Sequence, residues 1–243
     1  MTEVDVYRAS PEGVGGSDRE IKGGLIVIHE IWGLVDHIEE VTDRFAAQGY
    51  VSYAPDILSK AGMTPQAGQE LLALMNDPDE EKRVTAQPLM RERTAPARDP
   101  EYGGWAVGAL QQVLDELAEQ PGVNGRLAVL GFCFGGTYSF ALAAADQRIK
   151  AAVPFYGAPP ELDKVGAIGC PVLAFYGDQD ERLMAGLPEV ESAMTAAGVD
   201  FTAQVYPGAG HAFFNDAGPR YDAAAAGDAW QRTLDFLDRS LSH

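Results

Sequence analysis

The sequence has little cysteine, little positive charge and no long hydrophobic run. Its 243 residues include two cysteines, so no disulfide framework is indicated and a reducing compartment is suitable. Only 18 basic residues face 36 acidic ones, and a formal charge of −18 disfavours nucleic acid or an anionic membrane as a partner. No apolar run reaches the ~18 residues that cross a bilayer, and "MTEVDVYRAS" does not resemble a signal peptide. We therefore expect a cytoplasmic protein.

What the chain does contain is an alternation of short apolar runs with longer helical patterns. The runs at 23–30 (GGLIVIHE) and 126–132 (RLAVLGF) are apolar on both faces, as strands buried in a parallel sheet are. Residues 37–50, 105–120 and 223–241 have the apolar spacing of helices, and a further helix is expected around residues 188–198. This alternation predicts an α/β fold, with a mostly parallel sheet between helical layers, and a single domain over residues 1–243.

Residues 60–100 depart from this pattern. "LLALMND" predicts a helix, but "TAQPLMRERTAPARDP" combines several prolines and arginines without a clean period. The segment is interpreted either as a lid or excursion from the domain, or as a simple surface connection.

The stretch GFCFGG at 131–136 follows a predicted strand and precedes a predicted helix. A glycine-flanked nucleophile in such a turn is typical of the nucleophile elbow, where the nucleophile is strained and exposed. Gly131 and Gly135 occupy positions where a side chain would strike the neighbouring strand and helix. The N-terminus of the helix would favour both a thiolate and an oxyanion. The pattern predicts Cys133 as a nucleophile; the alternative is a buried cysteine, which is our expectation for Cys170.

A nucleophilic cysteine needs a base and a group that orients the base. His211 lies in the glycine-rich "YPGAGHAFFND" after the last predicted strand, where hydrolase folds carry their histidine. We expect His29 to pack in the core, and His37 begins a helix early in the chain. The turn "FYGDQD" supplies the acid: Asp180 is the favoured orienting carboxylate, and Asp178 is expected to stabilise the turn.

With these motifs in this order, the chain resembles the dienelactone hydrolase family, a cysteine-nucleophile branch of the α/β-hydrolases. The resemblance runs from about residue 23 to the C-terminus and includes "VIHEIWGL", "GYVSYAPDI", "GFCFGG", "FYGDQD" and "GAGHAFF". It implies a three-layer α/β-hydrolase fold and a triad of Cys133, Asp180 and His211.

The resemblance also assigns roles within "HEIWG". Glu30 corresponds to a family glutamate that contacts the resting thiol and assists thiolate formation. The backbone N–H groups of Ile31 and Phe134 would form the oxyanion hole. Trp32 and Tyr156 stand near strand ends, where they would either line the substrate pocket or belong to the core.

One departure from the family concerns the substrate. Family members that act on dienelactone hold its carboxylate with arginines, one of them shortly after the catalytic histidine. Here "HAFFND" follows, and no arginine occurs before Arg220; Arg91, Arg93 and Arg98 are the alternative sources of a cation, from the 60–100 region. Dienelactone itself is therefore not the expected substrate.

The sequence predicts a hydrolase that cleaves a small carboxylic ester or lactone through an acyl-enzyme on Cys133. We expect no metal and no organic cofactor to be needed, and a monomer or small homo-oligomer. Two alternatives stay open: a thioesterase or acyltransferase on the same scaffold, and a non-catalytic binding protein. Every catalytic position of the family is occupied by a suitable residue in this chain, which argues against a non-catalytic binding protein.

Overall fold

A computed structural model describes residues 3–12 and 20–242 of the chain. The strands within these residues are β1 (Val6–Ala9), β2 (Gly23–Ile28), β3 (Tyr50–Pro55), β4 (Leu127–Phe132), β5 (Ile149–Phe155), β6 (Val172–Gly177) and β7 (Phe201–Tyr206). They form one sheet in the order β1-β3-β2-β4-β5-β6-β7. β1 is antiparallel to β3, and all other neighbouring strands are parallel. The predicted three-layer, mostly parallel α/β fold is confirmed.

Seven α-helices accompany the sheet in the described part of the chain. They are α1 (Asp36–Ala47), α2 (Pro65–Met75), α3 (Glu80–Thr94), α4 (Pro100–Ala118), α5 (Phe134–Ala145), α6 (Glu181–Ala197) and α7 (Ala223–Leu241). Short 3₁₀ turns lie at Ser59–Ala61, Pro96–Arg98 and Val165–Ala167. None of the helices in these residues has the length and apolar character needed to cross a membrane.

The order of the strands explains where a site can form. The chain passes from β2 outward to β3, and later enters the other half of the sheet at β4, which pairs with β2. In open parallel sheets, ligands bind beyond the carboxyl ends of the strands at such a reversal. Every residue of β2 and β4 is buried, as expected for central strands covered on both faces. The residues that follow these two strands are therefore fixed at the reversal.

Two helices begin earlier than the apolar pattern indicates. The pattern places a helix from residue 105, but α4 begins at Pro100, because the Asp99 side chain accepts a hydrogen bond from the Glu101 N–H at 2.8 Å and caps the helix. The pattern places another from Pro188, but α6 begins at Glu181 and contains that proline. In both cases a capping aspartate marks the start.

The irregular part of 60–100 is also helical. α3 spans most of "TAQPLMRERT" and includes Pro88. Its buried residues are Ala86 and Thr94, and most of its other residues are exposed. The helix therefore packs on the rest of the protein through only a small part of its surface. A helix with so little apolar surface leaves no clear period in the sequence, which explains why the pattern did not predict it.

Candidate active site

Cys133 occupies a strained turn between β4 and α5. Its backbone has φ 55° and ψ −110°, outside the regions that residues other than glycine usually adopt. A Cβ atom at Gly131 would lie 2.1 Å from the Gly135 carbonyl oxygen, and one at Gly135 would lie 2.2 Å from the Ile28 carbonyl oxygen. The glycines are therefore required by close backbone approach, as the sequence pattern indicated, and the turn directs the sulfur away from the core.

The structure brings Cys133, His211 and Asp180 into one hydrogen-bonded line. His211 Nε2 lies 3.0 Å from Cys133 Sγ, and His211 Nδ1 lies 2.6 Å from Asp180 Oδ2. Asp178 is directed elsewhere, because its Oδ1 accepts hydrogen bonds from the Gly208 N–H at 2.8 Å and from Gln179. This arrangement can orient the imidazole with one ring nitrogen and move a proton to or from sulfur with the other.

The loop that carries His211 is anchored in the core. Phe213 and Phe214 are buried, and their rings pack on Tyr156 at 5.5 Å and on Phe132 at 5.2 Å between centroids. The Tyr156 ring also lies 5.0 Å from the His211 ring. These contacts hold the imidazole in place although its side chain is 25% exposed.

The thiol and the imidazole are both neutral at rest. Burial and, to a smaller extent, the nearby Glu30 carboxylate together raise the pKa of Cys133 to about 12, although the Phe134 N–H lowers it. Burial also lowers the pKa of His211, against the opposing effect of Asp180. The sequence led us to expect that the helix N-terminus would favour a thiolate. That effect is present through the Phe134 N–H, but burial outweighs it.

Glu30 is a buried carboxyl group directly after β2. Its Oε2 accepts a hydrogen bond from Asn215 Nδ2 at 2.5 Å, and its Oε1 accepts one from the Tyr156 hydroxyl at 3.3 Å. Burial raises the pKa of Glu30 to about 7, although both hydrogen bonds lower it. The resemblance implied a contact between this carboxylate and the resting thiol. Here Cys133 is directed to His211, and Glu30 acts on the thiol through its charge.

A cavity of about 700 Å³ opens at Cys133. Ile31, Phe134 and Tyr156 line it, as expected for two oxyanion-hole residues and a pocket residue. The 60–100 region also contributes to its wall, from the end of α3 and the turn that follows. The remaining lining residues are Met90, Thr94, Ala97, Arg98, Thr137, Ala158, Arg182 and His211.

Trp32 is not in that cavity. It lines a smaller one of about 100 Å³ together with Asn215 and Arg220, and its indole also lowers the pKa of Glu30 by hydrogen bonding. Of the other arginines considered as cations, Arg93 donates to the Ala67 carbonyl oxygen at 3.0 Å. Among the described residues, no group of three or more His, Cys, Asp or Glu side chains is arranged to hold a metal ion.

Three residues near the site were not identified from the sequence. Asn215 was noted only as standing where an arginine was expected, yet it is 3% exposed and binds Glu30. Arg182 and Thr137 line the cavity from α6 and α5. A polar residue in the apolar stretch after His211 is the one signal that could have indicated Asn215.

Comparisons with known proteins agree on one family. A model of the "Dienelactone hydrolase family" matches residues 4–241. A protein of Saccharolobus solfataricus with the provisional name carboxymethylenebutenolidase is 33% identical, covering 98% of this chain and 94% of its own. One of Escherichia coli K12 with the same name is 30% identical, covering 88% and 75%. A crystal structure from Klebsiella pneumoniae, provisionally called a dienelactone hydrolase, has a TM-score of 0.75 at 26% identity, covering 96% and 98%.

Proposed function

Since the chain belongs to the dienelactone hydrolase family, we propose that it cleaves a small carboxylic ester or lactone through an acyl-enzyme on Cys133. The family is one of carboxylic ester hydrolases, and the chain is a hydrolase of this kind. The observation that carries the mechanism is the line from Cys133 Sγ through His211 to Asp180, at 3.0 and 2.6 Å. A base in contact with a nucleophile, itself oriented by a carboxylate, is the arrangement that acyl transfer requires.

In the first half of the reaction, His211 Nε2 takes the thiol proton as Cys133 Sγ attacks the substrate carbonyl carbon. The carbonyl oxygen becomes an oxyanion, and the N–H groups of Ile31 and Phe134 would donate hydrogen bonds to it. Collapse of this intermediate breaks the bond to the leaving oxygen. His211 returns its proton to that oxygen, and the acyl group remains on Cys133 as a thioester.

In the second half, water enters the cavity and His211 removes a proton from it. The water oxygen attacks the thioester carbonyl, the C–S bond breaks, His211 returns the proton to Cys133 Sγ, and the acid product leaves. Asp180 keeps Nδ1 protonated throughout, so that Nε2 is always the nitrogen that exchanges a proton with sulfur or water.

Glu30 would assist formation of the thiolate by taking up a proton. Its pKa is about 7, and its charge raises the pKa of Cys133, so two neighbouring negative charges are unfavourable. When Cys133 passes its proton to His211, Glu30 gains affinity for a second proton, which it takes from solvent, so that the thiolate and the neutral Glu30 carboxyl group together carry one negative charge. Tyr156 and Asn215 hold the carboxyl group in place in either state.

The substrate would lie between the nucleophile and the 60–100 region. Met90, Thr94 and Ala97 supply a mostly apolar wall, and Arg98 and Arg182 are the cationic residues in the lining. We infer that the end of α3 and the turn after it form part of the substrate site, whether or not they move as a lid. The two arginines would offset the negative field of a chain with charge −18 for a polar or anionic acyl group.

Hydrolysis of a short activated ester, such as 4-nitrophenyl acetate, by the wild type and by Cys133→Ala tests this proposal. Cys170→Ala is the matched control, because Cys170 is the other cysteine, is buried and is remote from the triad. We expect turnover to fall to background in Cys133→Ala alone. In the wild type and in Cys170→Ala, rapid quenching should trap a mass increase of one acyl group on the peptide that contains Cys133. Equal turnover in all three proteins would refute the proposal. Competing alcohols or thiols then distinguish hydrolysis from acyl transfer.

A further inference from the structure

We propose that His29 is a positioning residue for the oxyanion hole, because it holds the peptide group between Glu30 and Ile31. The inference rests on the proposed function, in which the Ile31 N–H is one of the two oxyanion donors. The sequence predicted only that His29 packs in the core. It is indeed fully buried at the end of β2, but both of its ring nitrogens bind backbone groups beside the site.

The two hydrogen bonds of His29 determine which ring nitrogen carries the proton. Nε2 lies 3.2 Å from the Ile57 N–H, which can only donate, so Nε2 must accept. In a neutral imidazole the other nitrogen then carries the hydrogen, and Nδ1 donates to the Glu30 carbonyl oxygen at 2.7 Å. Burial lowers the pKa of His29, although the Asp56 carboxylate opposes this, so the ring stays neutral and keeps this arrangement.

Holding the Glu30 carbonyl also fixes the Ile31 N–H. The two groups belong to one planar peptide and point in opposite directions, so the orientation of one determines that of the other. The Gly33 N–H donates to the same carbonyl oxygen at 3.1 Å and closes a turn. With donors from His29 and Gly33, the peptide cannot rotate freely. A carbonyl that accepts hydrogen bonds also makes the N–H of its own peptide a stronger donor.

His29 also lies against the second oxyanion residue. Its ring is parallel to that of Phe134, with 6.0 Å between centroids and 2° between planes. Tyr102 packs on Phe134 at 6.5 Å, and its hydroxyl donates to the Ile57 carbonyl oxygen at 2.5 Å. The residue that donates to His29 Nε2 is thus itself held by the cluster that supports Phe134. One buried histidine therefore holds the peptide of the first proposed oxyanion donor and packs on the side chain of the second.

Three variants distinguish the roles of the two ring nitrogens of His29. His29→Asn keeps an amide N–H near the position of Nδ1, where it can donate to the Glu30 carbonyl. His29→Gln keeps a polar group near Nε2, where it can accept from Ile57 but cannot reach that carbonyl. His29→Leu removes both. We expect kcat for the activated ester to fall about 10²-fold in the Gln and Leu variants with little change in KM, since small misplacement of reacting groups has effects of this size. His29→Asn should keep most of the wild-type kcat.

Alkylation of Cys133 by iodoacetamide provides the reference reaction. There the thiolate displaces iodide from a saturated carbon and no oxyanion forms, so the rate reports the nucleophile alone. We expect this rate to be unchanged in every folded His29 variant, measured in the Cys170→Ala background. A parallel fall in alkylation and turnover, or equal kcat for the Asn and Gln variants, would overturn the proposal. If His29→Leu does not fold, the Asn and Gln pair decides. Turnover that survives in Cys133→Ala would instead refute the proposed function.

Discussion

Replacing Glu30 by glutamine should stabilise the protein at alkaline pH, because the substitution removes a charge that is costly to bury. The side chain is 2% exposed and accepts hydrogen bonds from Asn215 and Tyr156. Glutamine has nearly the same shape. Its carbonyl oxygen can accept from Asn215, and its amide N–H can donate to the Tyr156 oxygen. The change in unfolding free energy therefore reports the charge rather than lost packing.

The size and sign of this effect follow from the pKa of Glu30. Burial raises it from 4.5 to about 7, so the folded state binds the proton more tightly than the unfolded state. The resulting stabilisation is complete below the unfolded pKa and is lost as the pH rises through about 7. At about 1.4 kcal/mol for each pKa unit, the loss amounts to about 3–4 kcal/mol, most of which falls between about pH 5 and about pH 8.

Urea unfolding of the wild type and of Glu30→Gln near these two pH values measures the effect. The stability advantage of the variant should grow by about 2–3 kcal/mol from the acidic to the alkaline condition. Glu189→Gln is the control, because Glu189 is exposed on α6 and its carboxylate is solvated in both states. Its stability difference from the wild type should not change with pH. If the advantage of Glu30→Gln is also constant, Glu30 bears no buried charge at alkaline pH, and the proposed proton uptake at this residue fails.

Two further predictions concern the turn at Cys133 and the acid of the triad. Gly135→Ala should destabilise the protein by about 1–3 kcal/mol or more in thermal unfolding, because its Cβ would lie 2.2 Å from the Ile28 carbonyl oxygen. Gly104→Ala in α4, where a Cβ meets nothing within 4 Å, should be neutral or stabilising, and equal results for both would contradict the steric argument. Asp180→Asn should lower kcat about 10³-fold or more, whereas Asp178→Asn should keep it. The reverse result in ester hydrolysis would make Asp178 the orienting acid.

The fold and the position of the nucleophile were predictable from the sequence because both depend on local patterns. Alternating apolar runs indicate strands and helices, and a glycine-flanked cysteine between them predicts the elbow that Cys133 occupies at φ 55°. The lining of the cavity was less predictable. α3 has too little buried surface to produce a period, and the contribution of Thr94 and Arg98 to the wall depends on how that helix packs.

Residues that act through burial could be recognised only in part. Glu30 was identified through the resemblance to the family, but its partner Asn215 stands 185 residues later in the chain. Trp32 was predicted either to line the substrate pocket or to belong to the core, and it lines the smaller cavity beside Asn215 and Arg220. His29 was expected to be packed; its Nδ1 contacts the carbonyl of the next residue, Glu30, whereas its second hydrogen bond depends on the approach of Ile57 after β3.

The sequence by itself determined the order of strands and helices along the chain, the strained turn at Cys133 and the order in which Cys133, Asp180 and His211 follow one another. These depend on apolar period, on glycine at contact positions and on turn residues, which act over a few neighbours. Tertiary structure alone decided the protonation of the site. The pKa of Cys133 near 12 and that of Glu30 near 7 arise from burial by distant segments, which outweighs the local effect of the helix N-terminus.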